Sequence, residues 1–136
     1  MNSLNTELLQ NIKAVETLTG ARVKDCFPYQ KRLAFVIENG DIGKALGKGA
    51  RNVSRIEDAI GKKIKLIEYH DDVCEFILNL LKPLEIEDVI GDGHTYVIHP
   101  VDHRTRGVVI GRGGNHIALI TKVVNRFHDV EEVRVA

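Results

Sequence analysis

The sequence has no tryptophan, only two cysteines, few aromatic residues and no net charge. Cys26 and Cys74 are far apart and neither has a Cys-x-x-Cys companion, so a disulfide scaffold and the usual zinc sites are not expected. No run of about 18 apolar residues is present, which excludes a membrane-spanning helix and predicts no membrane partner. The N-terminal residues lack the basic start and apolar stretch of a secretory signal, so we expect a cytoplasmic protein.

An internal repeat at an offset of 64 residues is the main feature that is present. Glycines, a basic residue between them and the flanking apolar positions all recur in one register. The paired positions are Gly43 and Gly107, Ala45 and Val109, Leu46 and Ile110, Gly47 and Gly111, Lys48 and Arg112, Gly49 and Gly113, Val53 and Ile117. Chance supplies one glycine pair but hardly the whole series, so the sequence predicts two small domains, residues 1–70 and 71–136.

The repeat also explains the zero net charge. Residues 1–70 hold 12 Lys and Arg against 8 Asp and Glu, and residues 71–136 hold 7 against 11. The neutrality is therefore a cancellation between a mildly basic and a mildly acidic copy. It does not exclude a nucleic-acid partner, but it predicts local contact patches in place of a broad electrostatic grip.

The first copy is predicted to be an α+β module. An amphipathic helix ends at Gly20, and two strands follow at residues 21–26 and 32–38. Asp41 is expected to cap a short helix that ends at Leu46. The glycine turn then leads into a longer helix that Gly61 ends, and residues 63–69 form the last strand.

The second copy repeats this order. A helix begins behind Asp71 and Asp72, and Pro83 prevents its continuation. Strands are predicted at residues 86–90 and 95–99, a short helix at 104–110, a long helix after the turn with its apolar stripe reaching Phe127, and a last strand at 132–135. Each copy is then a small sheet with helices on one side.

The glycine turns favour contact with a sugar-phosphate backbone. Glycine turns the chain tightly and, having no Cβ, lets another backbone approach closely. The unpaired amides at the start of the next helix favour a phosphate, and Lys48 or Arg112 adds a charged donor. A single Gly-x-x-Gly is often only a tight corner, but its duplication with the basic residue favours the binding interpretation.

Enzyme motifs fit poorly. The segment at residues 43–49 has three residues, not four, between its first glycine and Gly-Lys, and Gly49 stands where a phosphate loop needs Ser or Thr. The second turn does not follow a strand directly, as a dinucleotide-binding fingerprint requires. Histidines of the second copy, His94, His99, His103 and His116, match no metal signature and are expected to be solvated surface residues. No catalytic residue and no cofactor are expected.

These residues resemble the K-homology (KH) domain family. Residues 110–117, Ile-Gly-Arg-Gly-Gly-Asn-His-Ile, fit its Ile-Gly-x-x-Gly-x-x-Ile signature without a gap. Residues 46–53, Leu-Gly-Lys-Gly-Ala-Arg-Asn-Val, differ in having Ala50 where glycine is expected. If that position needs a positive φ, Ala50 weakens the first site; if it only starts the next helix, alanine is harmless. The element order is similar to that of the prokaryotic, type II arrangement.

The pair as a whole resembles the RNA-binding part of the NusA family of transcription elongation and termination factors, in its short archaeal form. The resemblance implies single-stranded RNA held across both modules and modulation of transcription termination. We expect a non-catalytic protein and a monomer, with RNA polymerase as a candidate partner. The alternatives are a KH protein of ribosome or RNA-processing assembly, and a protein-interaction scaffold with weak RNA binding. The candidate RNA-binding residues are Lys44, Gly47, Lys48, Gly49, Ala50, Arg51, Arg55, Ile110, Gly111, Arg112, Gly113, Gly114, Asn115 and Ile117.

Overall fold

The computed structural model describes residues 3–136, which fold as an α+β protein of two compact units that divide between Tyr69 and His70. Each unit has the predicted order of helix, strand, strand, short helix, glycine turn, helix and strand. No helix within residues 3–136 is long and apolar enough to cross a membrane.

The first unit consists of a three-stranded sheet and three helices. Its elements are α1 Ser3–Thr19, β1 Val23–Tyr29, β2 Arg32–Ile37, α2 Ile42–Leu46, α3 Asn52–Ile60 and β3 Ile64–Glu68. Strand β2 is central, antiparallel to β1 and parallel to β3. Phe35 on β2 lies beside Cys26 on one neighbour and Leu66 on the other.

The core of the first unit lies between the sheet and its helices. Leu33, Phe35 and Ile37 alternate along β2 and pack with side chains from all three helices, among them Val15, Ala45 and Ile56. Each fully buried side chain of this size contributes roughly 1.5–3 kcal/mol relative to exposure. This packing holds the ends of α2 and α3, between which the glycine turn lies.

Strand β1 extends further than the sequence predicts, to Tyr29 instead of Cys26, and includes Pro28. Pro28 lies opposite Leu33, whose amide donates to the carbonyl of Lys63 on the other side of β2. The backbone groups of this pair therefore point away from the β1–β2 ladder. Pro28 costs the sheet no hydrogen bond, because β1 is an edge strand and the missing N–H would have faced away from β2.

Asp41 precedes α2 as predicted, but the expectation that its side chain caps the helix is wrong. Its carboxylate makes no cap hydrogen bond and instead accepts from the backbone N–H of Arg22, at 2.9 Å, and from Arg22 Nε, at 3.0 Å. These bonds lower the pKa of Asp41. A carboxylate that accepts an amide and a guanidinium donor makes stronger bonds than a helix cap does, so Asp41 ties the start of β1 to α2.

The second unit repeats the architecture. Its elements are α4 Val73–Leu81, β4 Ile86–Gly91, β5 Thr95–Pro100, α5 His103–Ile110, α6 Asn115–Asn125 and β6 Glu132–Val135. Strand β5 is central, antiparallel to β4 and parallel to β6. Asp72 caps α4 through the amide of Glu75, as expected. Helix α6 ends before Phe127, whose ring packs edge-to-face on that of Phe76 at 5.5 Å.

Candidate nucleic-acid interface

The first glycine turn, residues 47–50, joins α2 to α3, and the amide of Ala50 donates to the carbonyl of Gly47 at 3.1 Å. Gly47 ends α2 with φ 72° and ψ 177°, and its amide donates to the carbonyl of Gly43 at 2.9 Å. Gly49 then adopts a left-handed conformation with φ 63°. Both dihedral pairs lie where only glycine is free of strain, so the tight corner depends on them.

The second glycine turn, residues 111–114, has the same backbone path. Gly111 has φ 76° and ψ 173°, and its amide donates to the carbonyl of Gly107 at 2.9 Å. Gly113 has φ 60°. The equivalence found in the sequence therefore extends to the conformation of the individual residues.

The first glycine of each turn is required by internal packing as well as by its φ. A Cβ on Gly47 would lie 2.6 Å from Nδ2 of Asn52. A Cβ on Gly111 would lie 2.6 Å from Cβ of His116 and 2.8 Å from its backbone nitrogen. The start of the long helix therefore packs directly on this glycine.

The second glycine of each turn faces open space. Apart from the glycine and its two chain neighbours, no described atom lies within 4 Å of the position that a Cβ would take on Gly49 or Gly113. Lys48 and Arg112 beside them are exposed. Neither makes an ion pair within the part of the chain that the structure describes. An exposed peptide beside a cation that makes no ion pair suits contact with a phosphodiester.

Ala50 adopts a positive φ of 58°, and Gly114, at the equivalent position, one of 78°. The alternative in which this position simply begins the next helix is therefore wrong, and the first turn holds an alanine in a left-handed conformation. Ala50 is exposed. The first turn keeps the shape of the second, at a conformational cost of about 1 kcal/mol.

Half-buried aliphatic side chains flank both turns. Leu46 and Val53 in the first unit, like Ile110 and Ile117 in the second, are neither fully buried nor fully exposed. None of the four belongs to the fully buried core, so part of each surface is available beside the exposed turn.

Two buried polar side chains, which the sequence had not singled out as site residues, connect the long helix of each unit to the short helix before the turn. Asn52 Nδ2 donates to the carbonyl of Lys44 at 3.1 Å. Nδ1 of His116, 64 residues later, lies 2.8 Å from the carbonyl of Val108. The expectation that His116 is a solvated surface residue is wrong, since it is only 6% exposed. The repeat offset was the one signal that marked these two positions as equivalent.

Of the other candidate residues, three are characterised by their exposure and one by a hydrogen bond within the first unit. Lys44, Arg51 and Asn115 are exposed at their turns. Arg55, predicted to follow an RNA backbone, donates from one guanidinium nitrogen to Oδ1 of Asn52 at 3.0 Å. Arg55 thus contacts the residue that fastens the first turn.

The structure does not assemble the histidines of the second unit into one site. Nδ1 of His94 lies 3.6 Å from Oε1 of Glu131, and Nδ1 of His99 lies 2.7 Å from Oδ1 of Asp88. His116 is inside the helix corner. Among residues 3–136 no group of three or more His, Cys, Asp or Glu side chains is placed to hold a metal ion.

Comparison with known proteins places this geometry in a family. The family model described as "KH domain" matches residues 9–83, which span most of the first unit and α4 of the second. The solved crystal structure of APE1850 superimposes with a TM-score of 0.71 at 28% identity, covering 96% of this chain and 99% of that one.

Curated relatives match nearly the whole of this chain. A probable transcription termination protein NusA of Methanococcus vannielii is 40% identical, covering 97% of this chain and 78% of the relative. The protein of the same description from Methanocaldococcus jannaschii is 32% identical, covering 97% of this chain and 74% of the relative. With the glycine turns, the α+β units and these relatives in agreement, the chain belongs to the KH-domain family and, within it, to the short NusA-like proteins.

Proposed function

We propose that this protein binds single-stranded RNA and modulates transcription elongation and termination, holding nascent RNA through its two glycine turns. The observation that carries the proposal is the repeated turn in which the second glycine faces open space beside an exposed cation, Lys48 or Arg112. The names of the NusA relatives supply the link to transcription termination.

The chemistry of each turn fits RNA held by its backbone. A KH module grips about four nucleotides of single-stranded RNA along the Gly-x-x-Gly turn, while the bases lie toward an aliphatic groove. The half-buried Ile110 and Ile117 offer such a surface in the second unit. Only 5% of the residues are aromatic, which suits this mode better than the stacking platforms of other single-strand binders.

We propose that both units are KH domains of the type II arrangement, residues 1–70 and 71–136. The support is their shared element order, their identical sheet topology and the equal conformations of Gly47 and Gly111. The protein acts as a cytoplasmic, non-catalytic monomer with RNA polymerase as its protein partner.

Two alternative functions differ from the one proposed. A KH protein of ribosome or RNA-processing assembly would use the same turns on a different RNA. A protein-interaction scaffold with weak RNA binding is favoured by the strained Ala50 in the first turn and by the acidic balance of the second unit.

The test is a titration with short single-stranded and duplex RNAs of several sequences at several salt concentrations. We expect preference for single strands and an affinity that falls as salt rises, because phosphate contacts release counterions. The double variant Arg112→Asp with Gly113→Asp, expected to keep the fold because both positions are exposed and Gly113 has open space, should bind at least tenfold more weakly.

Controls separate the alternatives. The matched double variant Lys48→Asp with Gly49→Asp measures the first turn in the same way. No binding by the unaltered protein at low salt would favour the scaffold, and unchanged affinity in the Arg112 and Gly113 variant would remove the second turn as a site. Co-purification with RNA polymerase as against ribosomal particles distinguishes transcription from ribosome assembly.

A further inference from the structure

We propose that Asn52 and His116 are positioning residues for the RNA-binding turns: each fastens the long helix to the end of the short one and so fixes the glycine turn between them. The inference rests on the proposed function, because it names what holds that site in its binding geometry. Neither side chain is placed to touch RNA, since both are buried, at 7% and 6% exposure.

The two residues do the same work with different chemical groups. Each stands five residues after the first glycine of its turn and reaches the carbonyl three residues before it. Asn52 Nδ2 lies 3.1 Å from the carbonyl oxygen of Lys44, and His116 Nδ1 lies 2.8 Å from that of Val108. A carbonyl oxygen only accepts, so Nδ1 of His116 carries the hydrogen.

The bonded carbonyls need these donors. Lys44 lies in the last turn of α2, and Val108 lies in the last turn of α5. Carbonyls there have no partner in a continuing helix, because the chain turns away at the next glycine. A side chain from the first turn of the following helix supplies the donor, and the same bond sets the angle between the two helices.

The bond and the first glycine depend on each other. A Cβ on Gly47 would overlap the amide group of Asn52, and a Cβ on Gly111 would overlap Cβ and the backbone nitrogen of His116. A side chain that lacks the donor removes the partner of the Lys44 or Val108 carbonyl, and the corner then opens so that water can supply the missing hydrogen bond. Opening changes the path of the exposed residues Arg112 and Gly113 and so disturbs the arrangement that receives a phosphate.

The first unit adds a further contact. Arg55 donates to Oδ1 of Asn52 at 3.0 Å, which fixes the amide with Nδ2 toward Lys44. The equivalent residue in the second unit is Leu119, which offers no such bond. Swapping the second unit's histidine for the first unit's asparagine is therefore a direct test of whether the donor alone suffices.

The experiment compares three variants of the full chain. His116→Leu removes the donor while it retains an apolar body of similar size. His116→Asn installs the donor that the first unit uses at the same position. Val124→Ala, a buried position further along α6, serves as the control for loss of core packing without a change at the turn.

One readout does not depend on RNA. Hydrogen exchange of the Gly111 amide, which donates to the carbonyl of Gly107 at 2.9 Å, reports whether the corner stays closed. We expect at least tenfold faster exchange in His116→Leu than in Val124→Ala, and exchange within threefold of the unaltered protein in His116→Asn. Equal exchange in His116→Leu and Val124→Ala overturns the positioning role.

The second readout is affinity for a short single-stranded RNA, measured where all variants remain folded. His116→Leu should bind this RNA about tenfold more weakly than the unaltered protein does. His116→Asn should bind it with an affinity within threefold of the unaltered protein. If His116→Leu and His116→Asn lose affinity equally, the hydrogen bond is not what shapes the site, and the proposal fails. If the unaltered protein binds no RNA, the proposed function fails, and the exchange measurement alone still decides the positioning role.

Discussion

Ala50 and Gly114 occupy the same left-handed backbone conformation, with φ values of 58° and 78°. One of the two is an L-residue with a Cβ, so the first turn pays a conformational cost that the second avoids. The two turns therefore share their shape but differ in how strongly the sequence favours it.

Replacing Ala50 by glycine should stabilise the protein by up to about 1 kcal/mol, because relief of the positive φ outweighs the added freedom of the unfolded chain. Urea unfolding of the full chain measures the change. Ala59→Gly, at an exposed position within α3, is the matched control and should destabilise by about 1 kcal/mol. A lower urea midpoint for Ala50→Gly would contradict the strain at this position.

The two glycines of the second turn should respond differently to alanine. Gly111→Ala places a Cβ 2.6 Å from His116 Cβ and should destabilise by about 3 kcal/mol or more. Gly113→Ala places its Cβ in open space, so it should lower the free energy of unfolding by only about 1 kcal/mol, because of the positive φ at this position. Thermal or urea unfolding of both variants decides this, and equal losses would show that close packing at Gly111 is not limiting.

Lys48 and Arg112 should each contribute to the salt dependence of RNA binding. Their replacement by glutamine, one at a time, should lower the slope of log affinity against log salt by about 0.7, the value for one phosphate contact on a single strand. Lys62→Gln is the control. Lys62 follows the end of α3 that is remote from the turn, and its Nζ lies 3.6 Å from Oε1 of Glu7. An unchanged slope in both turn variants would mean that neither cation contacts phosphate.

Asp41 should make the protein more stable above pH 4 than below it. Its pKa is lowered by the hydrogen bonds from the side chain and backbone of Arg22, so the folded state holds the proton less tightly than the unfolded state. The stabilisation is present above the unfolded value of about 3.9 and is lost as the pH falls through the folded value.

Asp41→Asn should accordingly be less stable at neutral pH and show a flatter loss of stability on acidification. Circular dichroism during an acid titration follows the transition. Asp58→Asn, which removes a charge from an exposed position on α3, controls for net charge. The same pH profile in both variants would show that the Arg22 contact does not stabilise the fold.

The order of elements and the two copies were predictable from the sequence, because helical spacing, glycines and one repeat offset all agree. The extent of β1 was not, since Pro28 normally argues against a strand and only its place on an edge strand makes it acceptable. The side-chain partner of Asp41 was likewise hidden, because the carboxylate can cap a helix locally or bond Arg22, 19 residues earlier.

At the candidate site the glycines were predictable and the residues that support them were not. Asn52 and His116 are polar residue types that usually lie at the surface, and nothing local marks them as buried. Their role depends on a carbonyl eight residues away and on a glycine without Cβ, which is a property of the folded corner. The positive φ of Ala50 could not be predicted from the sequence either, because alanine favours the right-handed region.

Pro28 has a consequence for how the protein behaves at high concentration. On the side of β1 turned away from β2, this residue has no N–H to offer, so a strand from another molecule that added there would lose a ladder hydrogen bond. The first sheet is thereby discouraged from growing beyond its three strands. Pro28 thus acts against edge-to-edge aggregation, and Pro28→Val should leave the fold intact while increasing light scattering in concentrated solutions.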